Sequence, residues 1–400
     1  MAIPRLYDDL LRAHLAGHRQ MAFVAGARQV GKTTTCRALA SADAYLTWDD
    51  RDDRRQFQAG ARAVAERLGL DRAGPRVVVV FDELHKFGRW QTFLKGFFDL
   101  YEDRVRVLVT GSSRLDVFRR GGDSLTGRYF LFRMHPLSIG ELVRPAPPSA
   151  SEIRSPLAIP DRDFTALWRF GGFPEPFSKK SAAFHRRWRD LRREQLVRED
   201  IRDLTRVQEL GQLDTLVTLL EERSGAQLVY SSLAGELGVA VETIRRWLDA
   251  LEGFYLGFRV RPWFANVARS LRKEPKWYMF DWAVVVDEGA RAETLVACHL
   301  LKAVHAWNDV GIGRYELRYL RDTAKREVDF VVVRDRKPWF LVEVKKSDTR
   351  LSPALAHFQD QLRAPHAFHA VLDLAHVDVD CFAYRTPTVV PVRTLLSQLV

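Results

Sequence analysis

The sequence predicts an α/β chain with a parallel-sheet core, a helical middle and a second α/β unit, and three observations carry that reading. Between Gln20 and about Leu142, short β-branched runs alternate with helix-length segments, the pattern of a parallel sheet covered on both faces. The stretch Arg144 to Asp161, RPAPPSASEIRSPLAIPD, is too rich in Pro and Ser to sustain a helix or an inner strand. After about Pro275, β-rich runs return and continue to the C-terminal end.

Taken in order, strands are expected at Met21 to Ala25, Tyr45 to Trp48, Val77 to Phe81, Val105 to Thr110 and Tyr129 to Met134. The Pro/Ser stretch reads as a linker. Asp163 to Phe170, the turn GGFPEP at Gly171 to Pro176 and the Arg-rich run Ala182 to Glu222 read as a small helical unit. The expected division is a core over 1–143, a linker over 144–162, a helical lid over 163–223, a winged helix over 224–274 and a last α/β domain over 275–400.

Composition narrows the function classes. With 400 residues the chain exceeds one ordinary domain of roughly 100–200 residues. Its 46% hydrophobic and 28% charged shares are globular, and no apolar run approaches the roughly 18–20 residues that cross a bilayer, so no membrane partner is expected. Met1 to Leu15 carries charges throughout and lacks the apolar stretch of a secretory signal, which points to the cytoplasm. Cys36, Cys298 and Cys381 are far apart and form no Cys-x-x-Cys pair, which excludes a disulfide scaffold and a thiolate zinc site. A net charge of +11 makes a polyanion a natural partner.

The first site follows the first strand. Gly26-Ala27-Arg28-Gln29-Val30-Gly31-Lys32-Thr33 fits G-x-x-x-x-G-K-[ST] at every fixed position, and Thr34 to Ala40 can form the helix that such a loop opens. Backbone N–H groups from Gly26 to Thr34 would then face the phosphates of ATP, Lys32 would meet the β- and γ-phosphates, and Thr33 would hold Mg²⁺. Strand Val77 to Phe81 ends in Asp82-Glu83, where Asp82 can order the metal shell and Glu83 can polarise the attacking water. Thr110-Gly111-Ser112-Ser113 closes another strand, and Ser112 could sense the γ-phosphate. Arg128 is the candidate arginine finger, reaching a neighbouring subunit's nucleotide, with Arg114, Arg119 and Arg120 as competitors.

Tyr230 to Glu252 reads as helix, Gly-containing turn and helix, with Leu233, Ala234 and Leu237 facing Ile244, Trp247, Leu248 and Leu251, and Phe254 to Val260 as the strand of a wing. Ser231 or Ser232 is the expected cap. From Val241 to Phe280, eight basic residues stand against four acidic ones, which suits phosphate contact, although winged helices also bind proteins.

The second site is C-terminal. Glu293 lies on an expected helix, Asp329 on the strand from Arg326, and Glu343 and Lys345 two apart on a third element, so period-two alternation puts the last two on one face. The order is that of a restriction-endonuclease-like nuclease, in which Asp329 and Glu343 would hold a metal, Glu293 would assist and Lys345 would orient water. The same fold also serves without catalysis.

The motifs GARQVGKT, FDELHK, TGSS, LTGR and HPLSIGE, with Glu-Val-Asp-Phe and Val-Glu-Val-Lys near the end, make nearly the whole chain resemble a bacterial and archaeal family of AAA-type ATPases joined to a C-terminal domain of unknown function. The resemblance implies an AAA+ or STAND-like P-loop core and a homo-oligomer such as a hexamer, while the C-terminal Glu, Asp, Glu-x-Lys order resembles the PD-(D/E)xK superfamily. Together these readings describe a cytoplasmic, Mg²⁺-dependent ATPase that moves on or remodels DNA. The alternatives are an ATP-switched regulator or scaffold and an ATP-gated nuclease.

Overall fold

The computed structural model describes residues 3–72, 74–111, 125–148, 152–197, 210–264 and 274–400. Two compact units divide the chain, Met1–His135 and Pro136–Val400.

In the first unit, strands β1 (Met21–Gly26), β2 (Tyr45–Thr47), β3 (Val77–Asp82), β4 (Val105–Thr110) and β5 (Tyr129–Met134) form one sheet in the order β2-β3-β4-β1-β5. All neighbouring pairs are parallel, in keeping with largely apolar runs alternating with helices. β1 and β4 are buried along their whole length. One face carries an aromatic core in which Phe57, Phe81, Phe93 and Phe97 meet edge to face at ring separations of 5.2–5.7 Å. In a parallel sheet all C-terminal strand ends share one edge, and this brings Gly26, Asp82 and Thr110 together.

The second unit holds a mixed seven-stranded sheet, β12-β11-β10-β9-β8-β6-β7. Its strands are β6 (Gly257–Pro262), β7 (Lys276–Met279), β8 (Tyr315–Arg321), β9 (Glu327–Arg334), β10 (Lys337–Lys345), β11 (His366–Val371) and β12 (Thr388–Pro391). The helix Glu288–Asp309 packs against β7 to β10, and Pro353–Leu362 against β9 to β11. The helices Tyr230–Leu237 and Val241–Gly253 join through Gly238, and Leu233, Ala234, Ile244, Trp247, Leu248 and Leu251 are buried in one cluster.

Four sequence expectations are corrected here. The division falls at His135/Pro136 and not after residue 143, because Ser138 Oγ donates to Val400 O at 2.9 Å and the buried Lys302 ammonium pairs with the buried Glu141 at 2.5 Å, which fixes the HPLSIGE segment within the second unit. The supposed linker is a strap within that unit: Arg154 N donates to Gln398 O at 2.9 Å and Leu157 N to Ser397 Oγ at 3.1 Å. The supposed wing strand is β6, which pairs antiparallel with β7 and parallel with β8, so no boundary at 274/275 separates it from the last sheet. Val229 precedes the helix Tyr230–Leu237 without a side-chain cap, and Ser232 Oγ instead donates to Glu236 Oε1 at 2.9 Å. Among the described residues, no helix is long and apolar enough to cross a membrane.

Candidate functional site

β1 ends in a loop whose backbone needs glycine. Gly26 has φ +154° and a Cβ there would strike the Met134 carbonyl oxygen, while Gly31 sits at φ +106° as the helix Lys32–Leu39 begins. Ala27 and Val30 are buried, Arg28 is half-buried, and Gln29 is exposed with φ +63°. The Lys32 side chain folds back into this loop, where its ammonium donates to Gly26 O at 2.9 Å and Ala27 O at 2.8 Å. Burial pulls the ammonium down to about 8, although Glu83 and Asp82 pull the other way. Thr33 and Thr34 are exposed at the mouth of the loop.

Asp82 ends β3 and is the hub of the edge. Its Oδ2 accepts from Thr33 Oγ1 at 3.1 Å and from the Tyr45 hydroxyl, and its Oδ1 accepts from the Thr110 hydroxyl and from Glu83 N at 3.0 Å. Burial and the Asp82 carboxylate push the Tyr45 phenol well above its ordinary value, so it remains a donor. A threonine hydroxyl beside a buried carboxylate is a donor set suited to Mg²⁺.

Glu83 takes the left-handed conformation, φ +53°, and its carboxylate turns to Lys86 Nζ at 3.2 Å and His85 Nε2 at 3.8 Å. Lys86 also pairs with Asp49 at 2.6 Å. Burial lowers the Lys86 ammonium, but the Asp49 hydrogen bond and the charges of Glu83 and Asp49 more than offset this and raise it. The general-base candidate is therefore held by a cation in this conformation.

Arg5 was not anticipated. It is buried beneath the loop, donating from one amino group to Val30 O and from the other to His135 O, both at 2.6 Å. Its signal was only an Arg ahead of an apolar helix, which is too common to read. Tyr45, which begins β2, was equally silent, whereas Thr110 is read among the hydroxyls that close β4 and meets Asp82 there.

Arg128 is not at this edge. Met21 is level with Tyr129 and Gly26 with Met134, so Arg128 stands at the opposite end of β5, roughly 20 Å along the strand from Gly26. Two of its guanidinium nitrogens meet Asp99 at 2.7 and 3.0 Å. Ser112 lies outside the described residues, as do Ser113, Arg114, Arg119 and Arg120.

In the second unit the four C-terminal residues are neighbours. Val344 N donates to Asp329 Oδ2 at 2.8 Å, and Lys345 Nζ meets Glu343 Oε1 at 2.7 Å. Burial pushes the Glu293 and Glu343 carboxyls up to about 7, and the Asp329 charge adds to it. Sequence reasoning missed the central cation, Lys276: its ammonium lies 3.0 Å from Glu293, 2.7 Å from Glu327 and 3.5 Å from Asp329. Tyr278 donates to Glu293 Oε1 at 2.6 Å. Alternation could have found both pairs, since Lys276 and Tyr278 share a face of β7, and Glu327 and Asp329 a face of β9. Among the described residues no group of three or more His, Cys, Asp or Glu is placed to hold a metal ion, and the cation amid these carboxylates is the Lys276 ammonium.

Residues 18–143 match the family model of an AAA domain, residues 161–287 that of a domain of unknown function (DUF8612), and residues 288–392 that of another (DUF4143). β6 and β7 fall in the second match and β8 to β12 in or beside the third, so these two regions share one sheet. Uncharacterized proteins of Mycobacterium tuberculosis and Mycobacterium bovis are each 27% identical over 275 residues, 68% of this chain and 57% of theirs. One of Methanocaldococcus jannaschii is 22% identical over 273 residues, 60% of this chain and 56% of its own length. The chain thus spans a little over half the length of these curated relatives. Among solved structures, C. elegans PCH-2 shares 16% identity at TM-score 0.25, covering 60% of this chain and 66% of that one. A Signal Transduction ATPase with Numerous Domains (STAND) protein with a tetratricopeptide repeat sensor from Pyrococcus horikoshii shares 12% at TM-score 0.24, covering 76% and 47%. Scores this low carry no argument.

Proposed function

We propose that the chain is an ATP hydrolase that works as a homo-oligomer on DNA. The observation that carries the ATP site is the convergence of Lys32, Thr33 and Asp82 at one sheet edge, with Thr33 Oγ1 already 3.1 Å from Asp82 Oδ2, in the region that matches an AAA domain. Nucleotide would draw Lys32 from the Gly26 and Ala27 carbonyls to the β- and γ-phosphates, which are stronger acceptors. The loop N–H groups from Gly26 to Thr34 would cradle the phosphates. Thr33 and Asp82 would hold Mg²⁺, which supplies charge neutralisation on the phosphates when bound. Glu83, freed from Lys86, would accept the proton of the attacking water. Ser112 completes the proposed catalytic set.

Arg128 is read as a finger acting in trans. Standing at the far end of β5, it reaches no phosphate at its own loop, and a finger role requires a second copy. The DNA reading rests on the +11 charge and the paired helices Tyr230–Leu237 and Val241–Gly253, whose outer face presents Arg245 and Arg246 beside Glu242 and Asp249. Within the second unit we read the Glu293, Asp329, Glu343 and Lys345 cluster as nuclease-like in arrangement but non-cleaving, because Lys276 supplies the cation there.

A second reading is favoured by one contact, the Glu83–Lys86 pair, which suits a slow ATP-switched regulator. One experiment separates the two: ATP turnover with and without single-stranded, duplex and branched DNA. Stimulation by any DNA supports the first reading. Slow turnover indifferent to every DNA, with nucleotide tightly retained, overturns it.

A further inference from the structure

Several arginines of the second unit are already paired with a carboxylate. Arg193 pairs with Asp214 at 2.8 Å, Arg321 with Glu327 and Arg326 with Asp322 at 2.7 Å, and Arg223 with Glu236 and Arg259 with Asp249 at 2.6 Å. One cavity instead gathers several arginines that have none. A surface pocket of about 240 Å³ is lined by Arg169, Arg186, Arg189 and Arg291 together with His185 and Phe170. Among the described residues no carboxylate lies within 4 Å of Arg169, Arg186 or Arg291, and Arg189 has only Asp190, at 3.4 Å and on its own exposed face.

The walls hold these cations in place. Arg291 donates to Val285 O at 2.7 Å and lies over the Trp168 ring at 5.2 Å. Arg186 and Arg189 stand three apart on the helix Ala182–Glu194, so both look from one helical face. His185 is buried, its Nε2 has no hydrogen-bond partner, and the nearest acid is Asp281, 3.6 Å away. Four guanidiniums around one cavity repel one another, and the arrangement is unfavourable unless an anion enters. Guanidinium forks match phosphate oxygens in geometry as well as charge.

We infer that this pocket binds a phosphate group, and that its source is the backbone of the DNA on which the chain acts. The source rests on the DNA reading above. The pocket itself does not, since it is defined by the unpaired arginines. Its chemistry is sequence-independent, because phosphate contacts position a nucleic acid without reading its bases.

The test uses the full chain and fluorescence anisotropy with labelled single-stranded and duplex oligonucleotides across a salt series. Arg186→Gln combined with Arg189→Gln should weaken binding about tenfold or more and flatten the log–log salt slope by roughly 1.4–1.8 units, as expected for two lost phosphate contacts. Arg162→Gln, an exposed arginine outside the pocket lining, serves as a charge control and should change little. ATP turnover without DNA should be unchanged in all variants, and matching circular dichroism checks their folding. If wild type and the folded double variant bind DNA with equal affinity and slope, or if Arg162→Gln weakens binding as much, the inference is overturned while the DNA reading stands. If wild type binds no DNA, the DNA reading fails. The phosphate pocket then stands only if inorganic pyrophosphate raises the unfolding temperature of wild type and not of the double variant, and it falls if neither responds.

Discussion

The Glu83 carboxylate lies 3.2 Å from the Lys86 ammonium, within one turn of the chain, and Lys86 is also drawn to Asp49 at 2.6 Å. The proposed proton acceptor and its restraint are thus three residues apart. A partly exposed pair of this kind contributes about 0.5–1 kcal/mol. Lys86→Met should therefore raise ATP turnover without added partner about two- to fivefold. A fall in turnover, with ATP binding intact, would show that Lys86 assists the reaction.

Lys32→Ala and Glu83→Gln should separate binding from chemistry. Removing Lys32 takes away the cation meant for the phosphates, so both ATP affinity and turnover should be lost. Glu83→Gln leaves Thr33 and Asp82 in place, so ATP should still bind while turnover drops about 10²–10⁴-fold. Calorimetric ATP titration beside a phosphate-release assay checks both, and normal turnover in either variant overturns the corresponding role.

Arg128→Ala should keep ATP binding and lose turnover about a thousandfold or more. Mixed with Glu83→Gln subunits, it should recover part of the activity, because some interfaces then join an intact Arg128 to an intact Glu83. An active monomer by sedimentation at assay concentration would remove this role.

The C-terminal carboxylates make stability depend on pH. Glu293 and Glu343 titrate near 7 in the folded chain against an ordinary 4.5, so between those values the folded state binds more protons than the unfolded one. Their contribution to stability is therefore present below about 4.5 and is lost as pH rises through about 7. Denaturant midpoints measured from pH 5 to 7.5 should fall more steeply in wild type than in Glu293→Gln combined with Glu343→Gln. Parallel curves would refute the assignment.

Lys302 and Glu141 are both almost fully buried and paired at 2.5 Å, and Lys302 also donates to Pro136 O at 2.9 Å. Lys302→Met leaves a buried carboxylate without its cation and should destabilise the second unit by about 3–5 kcal/mol. Adding Glu141→Leu should recover most of that loss, because an apolar pair of similar volume replaces the ions. Urea unfolding followed by tryptophan fluorescence measures both, and no recovery in the double variant would place the cost elsewhere.

What was legible in the chain was whatever short-range chemistry dictates. The runs that became β1 to β5 are short and largely apolar, β-branched above all in β3 and β4, and the fixed spacing from Gly26 to Thr33 specifies a phosphate loop because only those residue types let backbone N–H groups converge. Asp82 was readable because it ends such a strand. The pairing of Glu343 with Lys345 was readable through alternation along a single strand.

The rest was decided by which strand lies beside which. The wing strand could not be told from a strand of the last sheet, since β6 has the same local pattern in either place and only its pairing with β7 and β8 settles it. Arg128 follows an ordinary turn, and its place opposite the loop depends on β5 running parallel to β1. Lys276 becomes the cation of a carboxylate cluster only because a helix and one strand from 17 to 53 residues away bring Glu293, Glu327 and Asp329 to it. Local sequence thus determined the elements and the glycine-rich loop after β1, because hydrogen bonds and backbone sterics act over a few residues. Tertiary structure decided the company each charge keeps, because Coulomb interactions follow distance in space and not along the chain.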